Sequence, residues 1–488
     1  MMQRPNILLI ILDATRYDYC SCYGFDKLTT PALDQLAAEG TLYEYAISPA
    51  PWTLPAFASL FTGLFPSQTG IYATRHLDPR FETLARILGS HGYSTFIITS
   101  NSWLSTGFGL VRDFMTVHKL WQLWQASEDV IVQHDRPKLN MYLSAIKKHI
   151  LKLDAPRNIV NYLYHRATQR IDAGASRTLR PLMKWITAQQ GPWFAVVHFM
   201  EAHLPYRPPL KWLHRFARQP RLAKQLRGAD QQRLFWRHNA GVELLSHEEL
   251  AAWRDLYAAE LAYQDFYLGQ LLEWLSRQRM RDSTCIVVGG DHGENLGEHE
   301  LLNHQYCLYE TLIRVPLVIS YPPLFEPGKR VQHLVSTLDI FPTILRVAGV
   351  DIPPSAEDYH LLSDSPVRPY VISEYGKPSV PPVTVLAKFG LKPEHFKRFV
   401  RGLTSLRTER YKVIVGTDGS KELYDLEIDP QETDNLIDKR PEIAQQLLSL
   451  LHVWWQEHDV GPVDQAGSLT GKVHSSVVER LQALGYLD

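Results

Sequence analysis

The chain has 488 residues, of which 45% are hydrophobic and 21% are charged. Its 51 Lys and Arg balance 52 Asp and Glu, so the net charge of −1 gives no global attraction to nucleic acid or to an anionic membrane. Four scattered cysteines are too few for a disulfide framework, and no apolar run is long enough to span a bilayer. We therefore expect a cytoplasmic protein without membrane insertion, long enough for two or three domains.

The first predicted element is a strand of apolar residues that begins near Asn6 and ends at the carboxylate of Asp13. A continuous aliphatic run of this kind is typical of a strand buried on both faces of a parallel sheet. Similar runs follow at 95–99, 193–199, 285–288 and 316–319, with helical patterns between them, such as 30–40 with its cap residue, early Pro and terminal Gly. This alternation predicts an α/β fold with a doubly wound, mixed and mainly parallel sheet flanked by helices.

Polar side chains follow these runs, at the point where each predicted strand ends. In doubly wound sheets, ligands bind outside the carboxyl ends of the strands. The sequence therefore predicts a site that gathers Asp13, Asn101, Glu201, His203, Asp291 and His292.

A single hydroxyl, that of Thr53, precedes a predicted helix that begins near Pro55. Pro is favoured in the first helical turn, and the free N–H groups and positive dipole end of a helix bind tetrahedral anions. A purely structural role, as the N-cap of this helix, is the alternative for Thr53.

Residues 51–63 resemble the signature of the sulfatase branch of the alkaline phosphatase superfamily, Cys/Ser-x-Pro-x-Arg followed by Ala-Ser-Leu-x-Thr-Gly. Thr53 stands where sulfatases carry the Cys or Ser that is oxidised to formylglycine, and Phe57 replaces the Arg. Since a threonine cannot become that aldehyde, the resemblance implies a Thr nucleophile without formylglycine. Relatives with a direct Thr or Ser nucleophile are mostly phosphoesterases and phosphotransferases, so a phosphorus ester is favoured over a sulfate ester.

Residues 290–299, with Tyr309-Glu310 and 314–317 after them, are similar to the family's Asp-His-Gly-Glu block. By that resemblance Asp13, Asp291 and His292 bind a divalent metal ion, with the Thr53 oxygen as a further ligand. Such an ion lowers the pKa of the bound hydroxyl. Ala14 replaces a second Asp of many family members, and His292 stands where calcium sulfatases often have Asn. Because imidazole suits Mn or Zn, these metals are favoured, with Ca and Mg left open.

Residues 198–209 look like the family's Asp-Pro-His-x-Pro-Tyr segment, and His203 matches its histidine. That residue would contact the substrate or its leaving group, while His304, at the position of a family lysine, would protonate the leaving group or donate to a non-bridging oxygen. Alternatively, His203 and His304, with Glu201, hold a second metal ion. Asn101 replaces a family Lys and would donate to a non-bridging oxygen. His198 is predicted to be an ordinary core histidine.

A polar, Pro-containing stretch at 353–369 predicts a domain boundary. We expect a sulfatase-like catalytic domain over 1–365 and a smaller C-terminal α+β domain over 366–488. Strand patterns at 399–415 and 422–426, a turn at 417–420 and a helical pattern at 441–455 predict an antiparallel sheet with one helix in the second domain. Two basic segments, 147–170 and 207–237, are candidates for substrate access or contacts between copies of a homo-oligomer.

The sequence as a whole predicts a metal-dependent hydrolase that cleaves a small anionic ester through Thr53, with a phosphorus ester favoured. A sulfuric ester hydrolase, a phosphotransferase and a non-catalytic anion-binding protein are the alternatives. Nucleic acid is not expected as a macromolecular partner.

Overall fold

The computed structural model describes residues 4–72, 76–125, 160, 161, 164, 168, 172–357, 359–377 and 383–463. The predicted basic segment 147–170 lies outside the described residues, except at 160, 161, 164 and 168.

Two sheets and a short hairpin contain the strands of the described chain. The large sheet contains β1 Asn6–Leu12, β2 Thr41–Ile47, β3 Ser94–Thr99, β4 Thr116–Lys119, β5 Trp193–Phe199, β6 Thr284–Gly290, β9 Arg314–Val315, β10 Leu317–Ser320 and β11 Lys329–Ser336. The hairpin pairs β7 Asn295–Leu296 with β8 Leu302–Asn303. The small sheet contains β12 Val371–Tyr375, β13 Leu403–Arg407, β14 Tyr411–Gly416 and β15 Lys421–Asp425.

The large sheet is mixed and mainly parallel, as predicted. Its nine strands run in the order β11-β2-β10-β6-β1-β5-β3-β4, and β9 pairs with β2. The central strands β6, β1, β5 and β3 are all parallel to one another, whereas β10 is antiparallel to both β6 and β2. Side chains alternate along β1, so that Ile7, Leu9 and Ile11 pack on one face and Leu8, Ile10 and Leu12 on the other. Both faces of the sheet therefore contribute to the core.

Helices cover both faces of this sheet. The α-helices of the described chain are α1 Pro31–Ala38, α2 Thr53–Thr62, α3 Pro66–Thr69, α4 Leu84–Ser90, α5 Ala175–Thr187, α6 Leu210–Phe216, α7 Pro220–Gly228, α8 Gln231–Asn239, α9 His247–Arg277, α10 Glu310–Ile313, α11 Ile340–Ala348, α12 Val383–Lys388 and α13 Pro441–Glu457. The 31-residue helix α9 begins with a capping box in which Ser246 and Glu249 exchange hydrogen bonds. The basic segment 207–237 forms α6 to α8, whose apolar faces pack into the core. None of the helices described is both long and apolar enough to cross a membrane.

The helix α1 ends two residues before Gly40, and this glycine has a steric role instead of the predicted role as helix terminus. The helix ends at Ala38 with Glu39 as its C-cap, so Gly40 does not terminate it. A Cβ at Gly40 would lie 2.3 Å from the carbonyl oxygen of Ile319. The glycine is therefore required by the close approach of β10 to this loop.

The small sheet is antiparallel, in the order β12-β13-β14-β15. Leu447, Leu451 and Trp454 of α13 pack against it in a separate apolar cluster. The predicted turn at 417–420 joins β14 to β15. The strand predicted over 399–415, in contrast, is divided into β13 and β14 by a tight turn in which Thr408 N–H donates to the carbonyl oxygen of Tyr411 at 2.8 Å.

Candidate active site

The predicted polar cluster lies at the carboxyl ends of four neighbouring parallel strands. Asp13 follows β1, Asn101 follows β3, His203 follows β5, and Asp291 follows β6. Because these strands are adjacent in the order β6-β1-β5-β3, their ends meet at one edge of the sheet. The side chains are nearly inaccessible, with exposed fractions between 0% and 7%.

Thr53 lies at the start of α2 and faces this cluster. The helix begins at Thr53, two residues earlier than predicted, with Trp52 as its N-cap. The N-cap alternative for Thr53 is therefore wrong. Its hydroxyl oxygen lies 3.3 Å from Nε2 of His292 and accepts a hydrogen bond of 3.4 Å from Nδ2 of Asn101. Every residue of α2 is buried, which fixes the hydroxyl at the edge of the core.

The carboxylates of Asp13 and Asp291 lie near the hydroxyl, and each has one oxygen that accepts no hydrogen bond from the described residues. These oxygens are Oδ1 of Asp13 and Oδ2 of Asp291, and both are buried. Ligand atoms of Asp13, Asp291 and His292 all lie within 4.8 Å of one another. Two orphaned carboxylate oxygens next to an imidazole nitrogen fit a divalent cation, which would compensate their buried charge.

The pKa values of the two carboxyl groups move in opposite directions. Burial alone would raise the pKa of Asp13, but the contact with His198 and the nearby imidazoles outweigh it and hold this pKa well below its ordinary value. Burial, reinforced by the charge of Asp13, raises the pKa of Asp291 well above its ordinary value. Opposite shifts of this kind are expected of two close carboxyl groups, of which one ionises more readily than the other.

His292 presents a lone pair to the same space. Its Nδ1 lies 2.8 Å from the carbonyl oxygen of Gly293, which can only accept, so Nδ1 carries the proton. Nε2 then faces Asp13 at 3.4 Å and Asp291 at 3.6 Å as an unprotonated nitrogen. Burial lowers the pKa of His292, which favours this neutral form.

Two more imidazoles, those of His203 and His304, lie close to His292, with the His304 ring tilted against both of the others. The ring centroid of His304 lies 4.4 Å from that of His292 and 4.8 Å from that of His203. Nδ1 of His203 donates to the carbonyl oxygen of Leu204 at 2.7 Å, and Nδ1 of His304 lies 3.4 Å from Oε1 of the buried Glu294. Burial is the main cause that lowers the pKa of both rings, well below the ordinary value for His304.

Glu201 is not brought to this cluster. Its carboxylate accepts from the backbone N–H of Ala175 at 2.6 Å, at the start of α5, and from that of Met200 at 3.1 Å. Burial and the charge of Asp172 raise its pKa to about 8. Glu201 therefore caps a helix, and the suggestion that it joins His203 and His304 as a metal ligand is wrong.

His198 contacts the site, although the sequence pattern assigned it to the core. Its Nε2 lies 3.1 Å from Oδ2 of Asp13, and its Nδ1 lies 3.1 Å from the hydroxyl of Thr99. Phe57, at the position of the family arginine, packs edge-on against this ring at a centroid distance of 5.1 Å. The register of β5 beside β1, which pairs His198 with Ile11, is the signal that could have identified it.

Comparisons with known proteins agree with this fold. A family model described as Sulfatase matches residues 5–350. The chain is 25% identical over 455 residues to "Uncharacterized sulfatase YidJ" of Escherichia coli strain K12, covering 90% of this chain and 84% of that protein. A protein solved with its substrate D-glucosamine-2-N,6-O-disulfate superposes with a TM-score of 0.68 at 18% identity, covering 94% of this chain and 98% of the other. The phosphonate monoester hydrolase of Agrobacterium radiobacter gives a TM-score of 0.66 at 22% identity, with 93% and 96% covered.

Proposed function

Since the chain belongs to the sulfatase family, a family of metal-dependent hydrolases of sulfuric or phosphoric esters, we propose that it cleaves a phosphorus ester with Thr53 as the nucleophile. The observation that carries this proposal is the position of the Thr53 hydroxyl. It lies in the first turn of α2, 3.3 Å from His292 and 3.4 Å from Asn101, beside two orphaned carboxylate oxygens.

Asp13, Asp291 and His292, with the Thr53 oxygen, would hold one divalent ion. When bound, such an ion lowers the pKa of the hydroxyl and neutralises charge on the ester. Two carboxylates and one imidazole favour Mn or Zn over Ca or Mg. His198 would keep Asp13 oriented through the contact at 3.1 Å.

The chemical step uses this chain's residues in fixed roles. The hydroxyl proton of Thr53 leaves to solvent, its oxygen forms a bond to phosphorus, and the bond between phosphorus and the leaving oxygen breaks. The leaving oxygen takes up a proton. Water then attacks the phosphorus of the threonyl ester, which releases the acid and returns a proton to Thr53. Asn101 would donate to a non-bridging oxygen as charge develops there.

We assign His304 to the proton transferred to the leaving oxygen, because an anionic ester beside the ring would oppose the lowering of its pKa by burial. We assign His203 to contact with the substrate. Their positions support both roles, because the His304 ring lies against His203 and against His292, whose Nε2 lies 3.3 Å from the Thr53 hydroxyl. If the protein bound two metal ions per chain, these two imidazoles would instead be ligands of the second ion. Glu201 would not join them, because it caps α5.

The choice of phosphorus over sulfur is supported by the residue at the nucleophile position. A Thr cannot supply the formylglycine of ordinary sulfatases, and the sulfatase-like fold also occurs in a phosphonate monoester hydrolase. The second candidate is a sulfuric ester hydrolase, which is favoured by the name of the E. coli relative.

The test is a hydrolysis panel of an aryl sulfate, a phosphate monoester, a phosphate diester and a phosphonate monoester, each with Mn, Zn, Mg or Ca. Thr53→Val keeps the shape of the side chain and removes the hydroxyl, and Thr53→Ser keeps the hydroxyl. We expect a phosphorus ester to be preferred, Thr53→Val to be inactive and Thr53→Ser to retain activity. Preference for the sulfate, or an active Thr53→Val, would refute the proposal. Product formed only with an added alcohol would identify a phosphotransferase.

A further inference from the structure

The loop after β1 contains a backbone conformation that is unfavourable for its residue. Ala14, directly after Asp13, has a φ of +54° and is completely buried. Only Gly, and to a lesser degree Asn and Asp, adopt this left-handed region readily, and other L-residues lose about 1–2 kcal/mol there. Neighbouring groups must therefore hold Ala14 in place.

The phenolic oxygen of Tyr257 in α9 forms hydrogen bonds to the backbone of both Ala14 and Arg16. The hydroxyl donates to the carbonyl oxygen of Ala14 at 2.7 Å and accepts from the backbone N–H of Arg16 at 2.8 Å. Burial raises the pKa of Tyr257 well above its ordinary value, so the hydroxyl keeps the proton that it donates. Its ring is fully buried and packs edge-on against Tyr19 and Tyr206, at centroid distances of 5.1 and 5.6 Å.

The loop 14–16, which Tyr257 holds, in turn orients Asp291. The backbone N–H of Ala14 donates to Oδ1 of Asp291 at 3.3 Å, and that of His292 donates to the same oxygen at 2.9 Å. With both donors on Oδ1, Oδ2 is left facing Asp13 and His292. The direction of the Ala14 N–H depends on its φ, and thus on the hydroxyl that fixes the loop.

We propose that the Tyr257 hydroxyl is a positioning group for the cation site, because it holds Ala14 in the conformation that aims Asp291 Oδ2 at Asp13 and His292. This inference rests on the metal site of the proposed function. Tyr257 touches neither substrate nor cation and acts only through Ala14 and Asp291.

Tyr23 offers a matched control for removal of this hydroxyl. Its oxygen donates to the carbonyl oxygen of Tyr43 at 2.9 Å and accepts from the backbone N–H of Leu317 at 2.9 Å. Like Tyr257, it thus donates to one backbone group and accepts from another, but these groups belong to Tyr43 of β2 and Leu317 of β10, which are not site residues. Tyr23→Phe and Tyr257→Phe each delete one atom and keep the ring.

The experiment measures the affinity of full-length protein for Mn²⁺, from the signal of free Mn²⁺ in electron paramagnetic resonance titrations. Removing a group that orients a ligand typically weakens metal binding about 10–100-fold, so we expect Tyr257→Phe to bind at least about tenfold more weakly than the wild type. Tyr23→Phe should bind as the wild type does. Since Gly adopts a positive φ without cost, Ala14→Gly in the Tyr257→Phe background should recover part of the loss.

The controls separate the two proposals. If Asp291→Asn abolishes binding while Tyr257→Phe binds like the wild type, the positioning role is wrong and the metal site stands. An equal loss in Tyr23→Phe and Tyr257→Phe would also overturn the positioning role, since it would reflect general destabilisation. If the wild type binds no Mn²⁺, or Asp291→Asn binds it equally well, the metal site itself fails, and the inference fails with it.

Discussion

At the scale of single residues, Ala14 distinguishes the proposed metal site from that of many family members. Many members carry a second carboxylate at this position, and the chain has a methyl group instead. The backbone at Ala14 is left-handed, which Asp and Asn tolerate better than Ala. The position could therefore accept a carboxylate without a change of backbone, and the missing ligand supports the proposed preference for softer cations than Ca²⁺.

Ala14→Asp should shift the preference of the site toward Ca²⁺. A third carboxylate adds a hard oxygen ligand and a negative charge, both of which favour Ca²⁺ over Mn²⁺. Competitive titration gives the ratio of the two affinities, which we expect to change by about tenfold or more. Ala14→Asn, with the same shape and no charge, should leave the ratio nearly unchanged. Equal ratios in both variants would show that position 14 does not face the cation.

The sequence was sufficient to locate the residues that lie in motifs, and insufficient for those that reach the site through packing. The sequence predicts the place of Asp13, Asp291 and His292 in the cluster because they follow predicted strands. It predicts that of Thr53 because this residue precedes a predicted helix. His198 and Tyr257 were missed since their contacts depend on strand register and on how α9 crosses the sheet. Glu201 was misread because a carboxylate after a strand can cap a helix as readily as it can bind a metal.

At the scale of elements, buried aliphatic runs identified the central strands, whereas less uniform strands were missed. The run at 193–199 matches β5 at both ends. The strands β2, β4 and β11 contain polar residues at several positions and were not predicted. The antiparallel direction of β10 could not be predicted either, because a buried run looks the same in both orientations.

The short helix α10 supports the loop that carries His292. The backbone N–H groups of Gly293 and Glu294 donate to the carbonyl oxygens of Leu312 and Thr311, at 2.7 and 3.1 Å. A Cβ at Gly293 would lie 2.1 Å from the Thr311 oxygen, which is much closer than atoms can approach. The glycine of the Asp-His-Gly-Glu block is thus explained by this close contact.

Gly293→Ala should force the loop and α10 apart. We expect the free energy of unfolding to fall by about 1–3 kcal/mol, the usual cost of overpacking, and Mn²⁺ affinity to fall with the displacement of His292. Thermal unfolding and metal titration measure the two effects. Gly228→Ala is the control, because no atom lies within 4 Å of a Cβ added there. Wild-type stability in Gly293→Ala would contradict the steric account.

At the scale of the whole molecule, buried polar contacts join the small sheet to the helices α10 and α3. Lys412 of β14 is fully buried and pairs with Glu310 of α10 at 3.2 Å and with Glu432. Glu374 of β12 accepts from the backbone N–H of Ser67 in α3 at 2.8 Å. We propose that residues 1–365 and 366–488 form two domains, in which case the contacts of Lys412 with Glu310 and of Glu374 with Ser67 cross their junction. The first of them anchors α10, the helix that supports the loop of His292.

Glu374 should make stability depend on pH. Burial raises its pKa from 4.5 to about 7. The folded state therefore holds this proton between pH 4.5 and 7, so the contribution to stability is complete below pH 4.5 and is lost as the pH rises through about 7. Glu374→Gln cannot ionise, and we expect it to be more stable than the wild type at pH 8, by up to about 3 kcal/mol, with little difference near pH 4.5.

Thermal unfolding of both proteins across this pH range provides the measurement. Glu409→Gln, at an exposed position, serves as the control and should follow the wild type at every pH. A difference between Glu374→Gln and the wild type that is the same at pH 4.5 and pH 8 would show that ionisation of Glu374 is not the cause.

The central claim, that Thr53 is the nucleophile, is tested most directly by peptide mass spectrometry of protein quenched in acid during a single turnover of the preferred phosphorus ester with Mn²⁺. The account predicts a phosphoryl or phosphonyl adduct on Thr53 in the wild type and no adduct in Thr53→Val. Turnover without an adduct on Thr53, or with an adduct on another residue, would contradict it.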